Sequence, residues 1–259
     1  MEDKVIVITG ASGGIGAALA KKLGSEGHSV VLAARRKNEL EAVASQSGPK
    51  AIAVVADVTK RKDLETLREA ALKKFGRIDV WINNAGRGVG KKILDLTDAD
   101  FDEIINVNLR SVLYGMQAIV PYFQKQGRGH LINVSSFLGR VPFVTFRSIY
   151  NAAKAAVNSL TANMRMDMRM SSPEVKVSLV MPGMVLTDFA KNALGGTPEM
   201  PGRPRSGQDA QTPEEVADLM AELIKNPKAE LYTNPSSAET AANYFRDVAA
   251  FEDNMFKQR

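Results

Sequence analysis

The chain has 259 residues, 34 Lys and Arg against 29 Asp and Glu, and a formal net charge of +5. With no cysteine it has no disulfide, no thiolate nucleophile and no Cys-based zinc site, and no apolar run approaches the roughly 18–20 residues that a membrane helix needs. The acids are scattered among the bases and the longest basic run is Arg35-Arg36-Lys37, which speaks for a mixed solvated surface and against a nucleic-acid platform.

The first apolar run, Lys4–Thr9 (KVIVIT), reads as a buried strand and starts too early for a signal peptide. A cytoplasmic protein is expected. Gly10-Ala-Ser-Gly-Gly-Ile-Gly16 follows at once, then a helical pattern to Gly27. Strand, glycine turn and helix together give a glycine fingerprint its meaning. Glycines let the backbone approach a pyrophosphate, and the free amides of a helix start face the anion. The same residues fit G-x-S-x-G, but a hydrolase elbow needs a later acid and histidine. The only histidines are His28 and His130, each at the entry to a strand, so that reading is set aside.

Ser29–Ala34 (SVVLAA) is the second strand, closed by Arg35 and Arg36. In dinucleotide-binding units an acid near this strand's end holds the ribose, and an arginine accommodates a 2′-phosphate. No carboxylate stands there, and two guanidiniums do, which favours NADP(H) over NAD(H). The alternation then continues. Glu39–Ser47 reads as helix, Ala51–Ala56 as a strand running into Asp57-Val58, Lys62–Phe75 as helix, and Ile78–Ile82 as a strand running into Asn83-Asn84-Ala85-Gly86. Thr97–Gln126 is a long helical stretch, opened by Thr97 and broken near Pro121. His130–Ser135 is a strand, with Ser136 emerging at its end. Ile149–Met170 is a helix whose Met164, Met166, Met168 and Met170 read as packing filler.

Tyr150 and Lys154 stand four apart in that helix, hence on one face. An ammonium close to a phenol favours the phenolate, so Lys154 is expected to bring Tyr150 toward neutral pH. Val175–Met181 is a strand closed by Pro182-Gly183, Pro213–Leu223 a helix and Glu230–Thr233 a short last strand. Residues 188–212, rich in Gly and Pro, are expected to be a substrate lid. Ala238, Ala241, Ala242, Phe245, Val248 and Ala249 give an apolar stripe on a C-terminal helix over 236–256. Strands alternating with helices mean one α/β domain, a Rossmann-type doubly wound parallel sheet covered on both faces.

Thr9-Gly-Ala-Ser-Gly-Gly-Ile-Gly16, Asn83-Asn-Ala-Gly86, Asn108, Ser136, Tyr150-x-x-x-Lys154 and Pro182-Gly183, in this order, resemble the short-chain dehydrogenase/reductase family over residues 4–233. The resemblance implies a nicotinamide-dependent oxidoreductase acting on CH-OH groups. It implies that Gly10, Ser12, Gly14, Ile15 and Gly16 form the pyrophosphate turn, that Asp57 and Val58 touch the adenine, and that Asn84, Ala85 and Gly86 pass under the cofactor. Tyr150 would exchange the substrate proton, Lys154 would assist it and bond the nicotinamide ribose, Ser136 would hold the substrate oxygen and Asn108 would anchor a relay water. Pro182, Gly183, Val185 and Thr187 would border the nicotinamide. No metal is implied.

Three departures from the family pattern are visible. The Ser136–Tyr150 interval is one residue longer than usual, so a bulge is expected within 140–147. Gly13 stands where many NADP-dependent members carry a base. The last strand lacks the glycine-rich end of many tetrameric members, so a homodimer through 97–126 and 149–170 is expected beside a homotetramer. Phe137, Leu138, Phe143, Phe146, Met184 and Phe189 fall where the family lines its substrate pocket, which implies an apolar carbonyl or alcohol. The alternative is a cofactor-binding regulator of the same fold without turnover.

Overall fold

The computed structural model of the chain describes residues 3–196 and 210–257. In chain order its strands are β1 (Val5–Thr9), β2 (Ser29–Ala34), β3 (Ala51–Val55), β4 (Val80–Asn83), β5 (Gly129–Val134), β6 (Val175–Met181) and β7 (Glu230–Tyr232). They form one sheet in the order β3-β2-β1-β4-β5-β6-β7, and every adjacent pair is parallel. The order reverses between β1 and β4, and such a switch point leaves a crevice at the carboxyl ends of the strands.

The helices are α1 (Gly14–Ser25), α2 (Lys37–Gln46), α3 (Arg61–Phe75), α4 (Asp98–Ile105), α5 (Ser111–Gln126), α6 (Ser148–Ser171), α7 (Pro213–Lys225), α8 (Ser237–Arg246) and α9 (Val248–Lys257). Alternate strand residues point to opposite faces, and this divides the core in two. Ile6, Ile8, Val30 and Leu32 pack with α1, α2 and α7. Val7, Val31, Ala33 and Trp81 pack with α3, α5 and α6. A sheet buried on both faces accounts for strands that are nearly continuous apolar runs.

The long helical stretch opens as its sequence demands. Thr97 Oγ1 accepts from Asp100 N at 3.2 Å, and Asp100 Oδ2 accepts from Thr97 N at 2.9 Å, a complete capping box. The expected break at Pro121 is corrected: Pro121 lies inside α5, and the disturbance is a π-helical turn over Asn106–Arg110. Ser111 N bonds Asn106 O across that wider turn.

The C-terminal helix is likewise two helices. Asp247 is extended between α8 and α9 and its Oδ1 accepts from Ala250 N at 3.0 Å, starting the second helix. The expected apolar stripe is therefore interrupted, and only Ala241 of its six residues is buried. Ala241, Tyr244 and Phe251 pack on Phe137 and Val141, so these helices dock on the chain's own sheet edge. Of the four alternating methionines of α6, Met164 and Met168 join the core and Met166 and Met170 are exposed. Among the described residues no helix is long and apolar enough to cross a membrane. Residues 197–209 of the expected lid lie outside the described residues.

Candidate active site

The glycine turn connects β1 to α1 at the switch point. Gly10 has φ +69° and Gly14 φ +53°, conformations that other residues adopt at a cost. A Cβ at Gly10 would lie 2.7 Å from Ala85 Cα, and one at Gly16 would lie 2.5 Å from the Gly10 carbonyl. The turn is thus folded tightly on itself and on the loop after β4. Asn84 Nδ2 donates to the Thr9 carbonyl at 2.9 Å and to that of Gly10 at 3.3 Å. Thr9 Oγ1 accepts from Asn84 N at 3.0 Å and from Ala85 N at 3.2 Å.

No side chain caps α1 and its first turn holds no acid. Its leading amides are therefore available to an anion. Ile15 packs into the core under the turn. Thr187 reaches back to it: a Cβ at Gly14 would lie 3.3 Å from Thr187 Cγ2.

The two arginines after β2 divide. Arg36 turns toward the glycine turn, with Nη2 donating to Ser12 Oγ at 3.0 Å and to the Ser12 carbonyl at 3.2 Å. A Cβ at Gly13 would lie 3.2 Å from Arg36 Nη2. Arg36 thus fills the place beside Gly13 where the sequence lacks a base. The Arg35 charge is felt at Asp57. Burial pushes the Asp57 carboxyl up, but hydrogen bonds from Thr59 N and Thr59 Oγ1, with the Arg35 charge, bring it below the ordinary range. Val58 packs against the α3–α5 side of the core.

The π turn of α4–α5 presents Asn108, which is fully buried. Its Oδ1 accepts from Arg87 N at 3.1 Å, and its Nδ2 donates to the Arg87 carbonyl at 2.9 Å and the Ile104 carbonyl at 3.1 Å. A Cβ at Gly86 would lie 3.0 Å from Asn108 Oδ1 and 3.6 Å from Lys154 Nζ. Gly86, Asn108 and Lys154 therefore meet.

The two serines after β5 take different tasks. Ser135 Oγ donates to the Lys154 carbonyl at 3.0 Å and ties the strand to α6. Ser136 Oγ accepts from Leu138 N at 3.2 Å and acts on the Tyr150 phenol. Phe137 N donates to the Pro182 carbonyl at 2.8 Å, and Gly183 N to Thr233 Oγ1 at 3.4 Å, so the loop after β6 borders the same space. Val185 bridges Gln211.

Tyr150 is only 7% exposed and Lys154 3%. Burial pushes the Tyr150 phenol above its ordinary value, while the Ser136 hydroxyl and the Arg147 guanidinium pull it down. Burial draws Lys154 down to about 8. Its Nζ donates to the Val134 carbonyl at 2.9 Å and stands 5.7 Å from the centre of the Tyr150 ring. Burial is the largest influence on both groups, raising the phenol and lowering the ammonium.

The segment after β6 covers the tyrosine. Phe189 stands edge-on to Tyr150 with ring centres 5.6 Å apart. Gly90 N donates to the Leu194 carbonyl at 2.7 Å and Leu194 N to that of Gly88 at 3.0 Å, pinning the cover to the loop after β4. Of the aromatic residues assigned to the substrate pocket, Phe137 packs its ring against Phe143, Tyr232 and the C-terminal helices. Phe143 and Met184 are part-exposed. Arg147, which ends the longer Ser136–Tyr150 interval, was not singled out by sequence; its spacing of three before Tyr150 was the available signal.

The family model described as short chain dehydrogenase matches residues 4–196. An uncharacterized oxidoreductase of Staphylococcus epidermidis is 39% identical over 191 residues, covering 74% of this chain and 82% of that protein. One of Staphylococcus aureus is 39% identical over 229 residues, 88% of this chain and 94% of that protein. Among solved structures, a short-chain dehydrogenase/reductase from Burkholderia phymatum in complex with NAD superposes with TM-score 0.86 at 29% identity, covering 96% of this chain and 95% of that one. An alcohol dehydrogenase from Thermococcus sibiricus complexed with 5-hydroxy-NADP gives 0.77 at 30% identity, covering 89% and 96%.

The chain belongs to the short-chain dehydrogenase/reductase family and is an NAD(P)-dependent oxidoreductase.

Proposed function

We propose that the protein is an NADP(H)-preferring oxidoreductase that interconverts a carbonyl and a secondary alcohol, with Tyr150 as the acid/base group. The observation that carries the reading is Arg36, whose guanidinium crosses to Ser12 and stands beside Gly13 at the start of α1. That is a cation next to free helix amides, the combination that a phosphate takes.

The residues present fit the cofactor. The turn Gly10–Gly16 receives the pyrophosphate, Asp57 and Val58 the adenine, and Lys154 and the loop Asn84–Gly86 the ribose and nicotinamide; Pro182, Gly183, Val185 and Thr187 close the far side. The nicotinamide, when bound, supplies or accepts the hydride. Ser136 holds the substrate oxygen against Tyr150. In the reducing direction the buried, protonated phenol of Tyr150 gives its proton to that oxygen, and in the oxidising direction the phenolate takes it back. Asn108, its amide fixed by the Arg87 backbone, anchors the water that returns the proton from solvent. Phe189 excludes bulk water from the phenol and gives the site an apolar wall, which suits an apolar substrate.

The test is NADPH consumption with a panel of ketones, aldehydes and acyl thioesters, with NADH in parallel. Turnover with NADPH preferred over NADH is expected. Tight NADPH binding without oxidation on any member would favour a silent regulator instead.

A further inference from the structure

Tyr150 lies between two cations in the chain, Arg147 at the N-cap of α6 three residues before it and Lys154 one turn after it. The two differ in kind. Lys154 is brought down to about 8 by burial, so its charge fades in the alkaline range. A guanidinium keeps its charge throughout.

Arg147 is held from three sides. Its Nη1 donates to the Val89 carbonyl at 2.9 Å, and the residue is 8% exposed. Its guanidinium carbon stands 6.0 Å from the centre of the Phe189 ring, the ring that lies edge-on to Tyr150. A Cβ at Gly88 would lie 2.6 Å from Arg147 Nη1 and 2.9 Å from Phe189 Cε1, so only a bare backbone admits both. Among the described residues, three ion pairs stand on the elements packed around them. Arg87 pairs with Glu103 of α4, Lys91 with Asp100 of α4, and Lys191 with Asp188 of the covering segment.

We propose that Arg147 is a positioning residue for the proton step, a permanent cation clamped between the loop after β4 and the covering segment that stabilises the Tyr150 phenolate whatever the charge on Lys154. The consequence for the reaction rests on Tyr150 being the acid/base group. Alcohol oxidation needs the phenolate, so a weaker field there moves the rising limb of the oxidation profile to higher pH.

The test reads the phenol directly and needs no substrate. Tyrosinate absorbance of the intact protein is titrated against pH, and the Tyr150→Phe titration is subtracted to isolate residue 150. Arg147→Gln keeps a donor for the Val89 carbonyl and removes the charge, and Arg147→Lys keeps the charge. The midpoint in Arg147→Gln is expected to rise by about one pH unit or more over wild type, with Arg147→Lys close to wild type. Coincident midpoints for wild type and Arg147→Gln would overturn the proposal. Arg147→Met, read by the same criterion, serves if the Gln variant loses its circular dichroism. An active Tyr150→Phe enzyme would sink the acid/base reading while leaving this titration to stand or fall by itself.

Discussion

Arg35 and Arg36 are adjacent in sequence and equal in charge, and Arg36 is the one seen to bond the glycine turn. Arg36 bonds Ser12 at the glycine turn, and the Arg35 charge helps to lower the Asp57 carboxyl. Sequence could place both at the end of β2 but not say which reaches the glycine turn. Arg36→Ala removes charge-assisted hydrogen bonds worth about 1.5–3 kcal/mol each. NADPH affinity is therefore expected to fall roughly 10–100-fold, with NADH little changed, as read by fluorescence titration of both nucleotides. Equal losses for the two would show that the guanidinium serves only the turn. The spacing of Tyr150 and Lys154 put them on one helix face and the other motifs of the chain singled them out, but their acidities were not legible. Those depend on how much water Phe189 and the loop after β4 exclude.

At the scale of elements, Asn108 reaches the site because the helix opens into a π turn over Asn106–Arg110. The sequence signals this poorly, since Pro121 is the stronger breaker by composition and α5 nevertheless runs through it. One turn earlier in α5, Arg68 of α3 donates to the Ala118 carbonyl at 2.9 Å. The capping box at Thr97 was legible because it is local chemistry. The polar chain under the site was not. Trp81 Nε1 donates to Asn83 Oδ1 at 2.8 Å, Asn83 Nδ2 to Asn133 Oδ1 at 2.8 Å, and Asn133 Nδ2 to Thr161 Oγ1 at 3.0 Å. This links β4, β5 and α6 below Tyr150 and Lys154.

Gly115 of α5 makes room for that chain: a Cβ there would lie 2.0 Å from Asn83 Oδ1. Alanine is the better helix former by about 1 kcal/mol, yet overpacking costs about 1–3 kcal/mol, and Asn83 would lose a buried hydrogen bond besides. Gly115→Ala is expected to lower the urea midpoint. An unchanged or raised midpoint would mean that Asn83 moves aside freely.

For the whole molecule, the alternation of strands and helices carried the sheet, its parallel sense and its two-sided core, because the period of each run is set by which faces are buried. What the C-terminal segment does was not carried, since an apolar stripe does not say what covers it and Asp247 interrupts it. The amino-terminal end of β5, away from the site, holds His130, which burial draws down to about 3 and whose Nε2 lies 2.8 Å from Ser178 Oγ. An unfolded histidine takes its proton near pH 6.5. Between about pH 6.5 and 3 the unfolded chain thus binds more protons, so stability falls on acidification, by up to about 1.4 kcal/mol per pH unit. His28 is also drawn down by burial and adds in the same direction. His130→Gln is expected to flatten the fall in urea midpoint between pH 7 and 5. A slope equal to wild type would show that His130 is protonated in the folded protein.

The most direct measurement is Tyr150→Phe, which keeps the ring against Phe189 and removes one oxygen. NADPH-dependent carbonyl reduction is expected to drop about 10²–10⁴-fold, with NADPH affinity unchanged. Wild-type turnover in that variant would contradict a proton passing through residue 150.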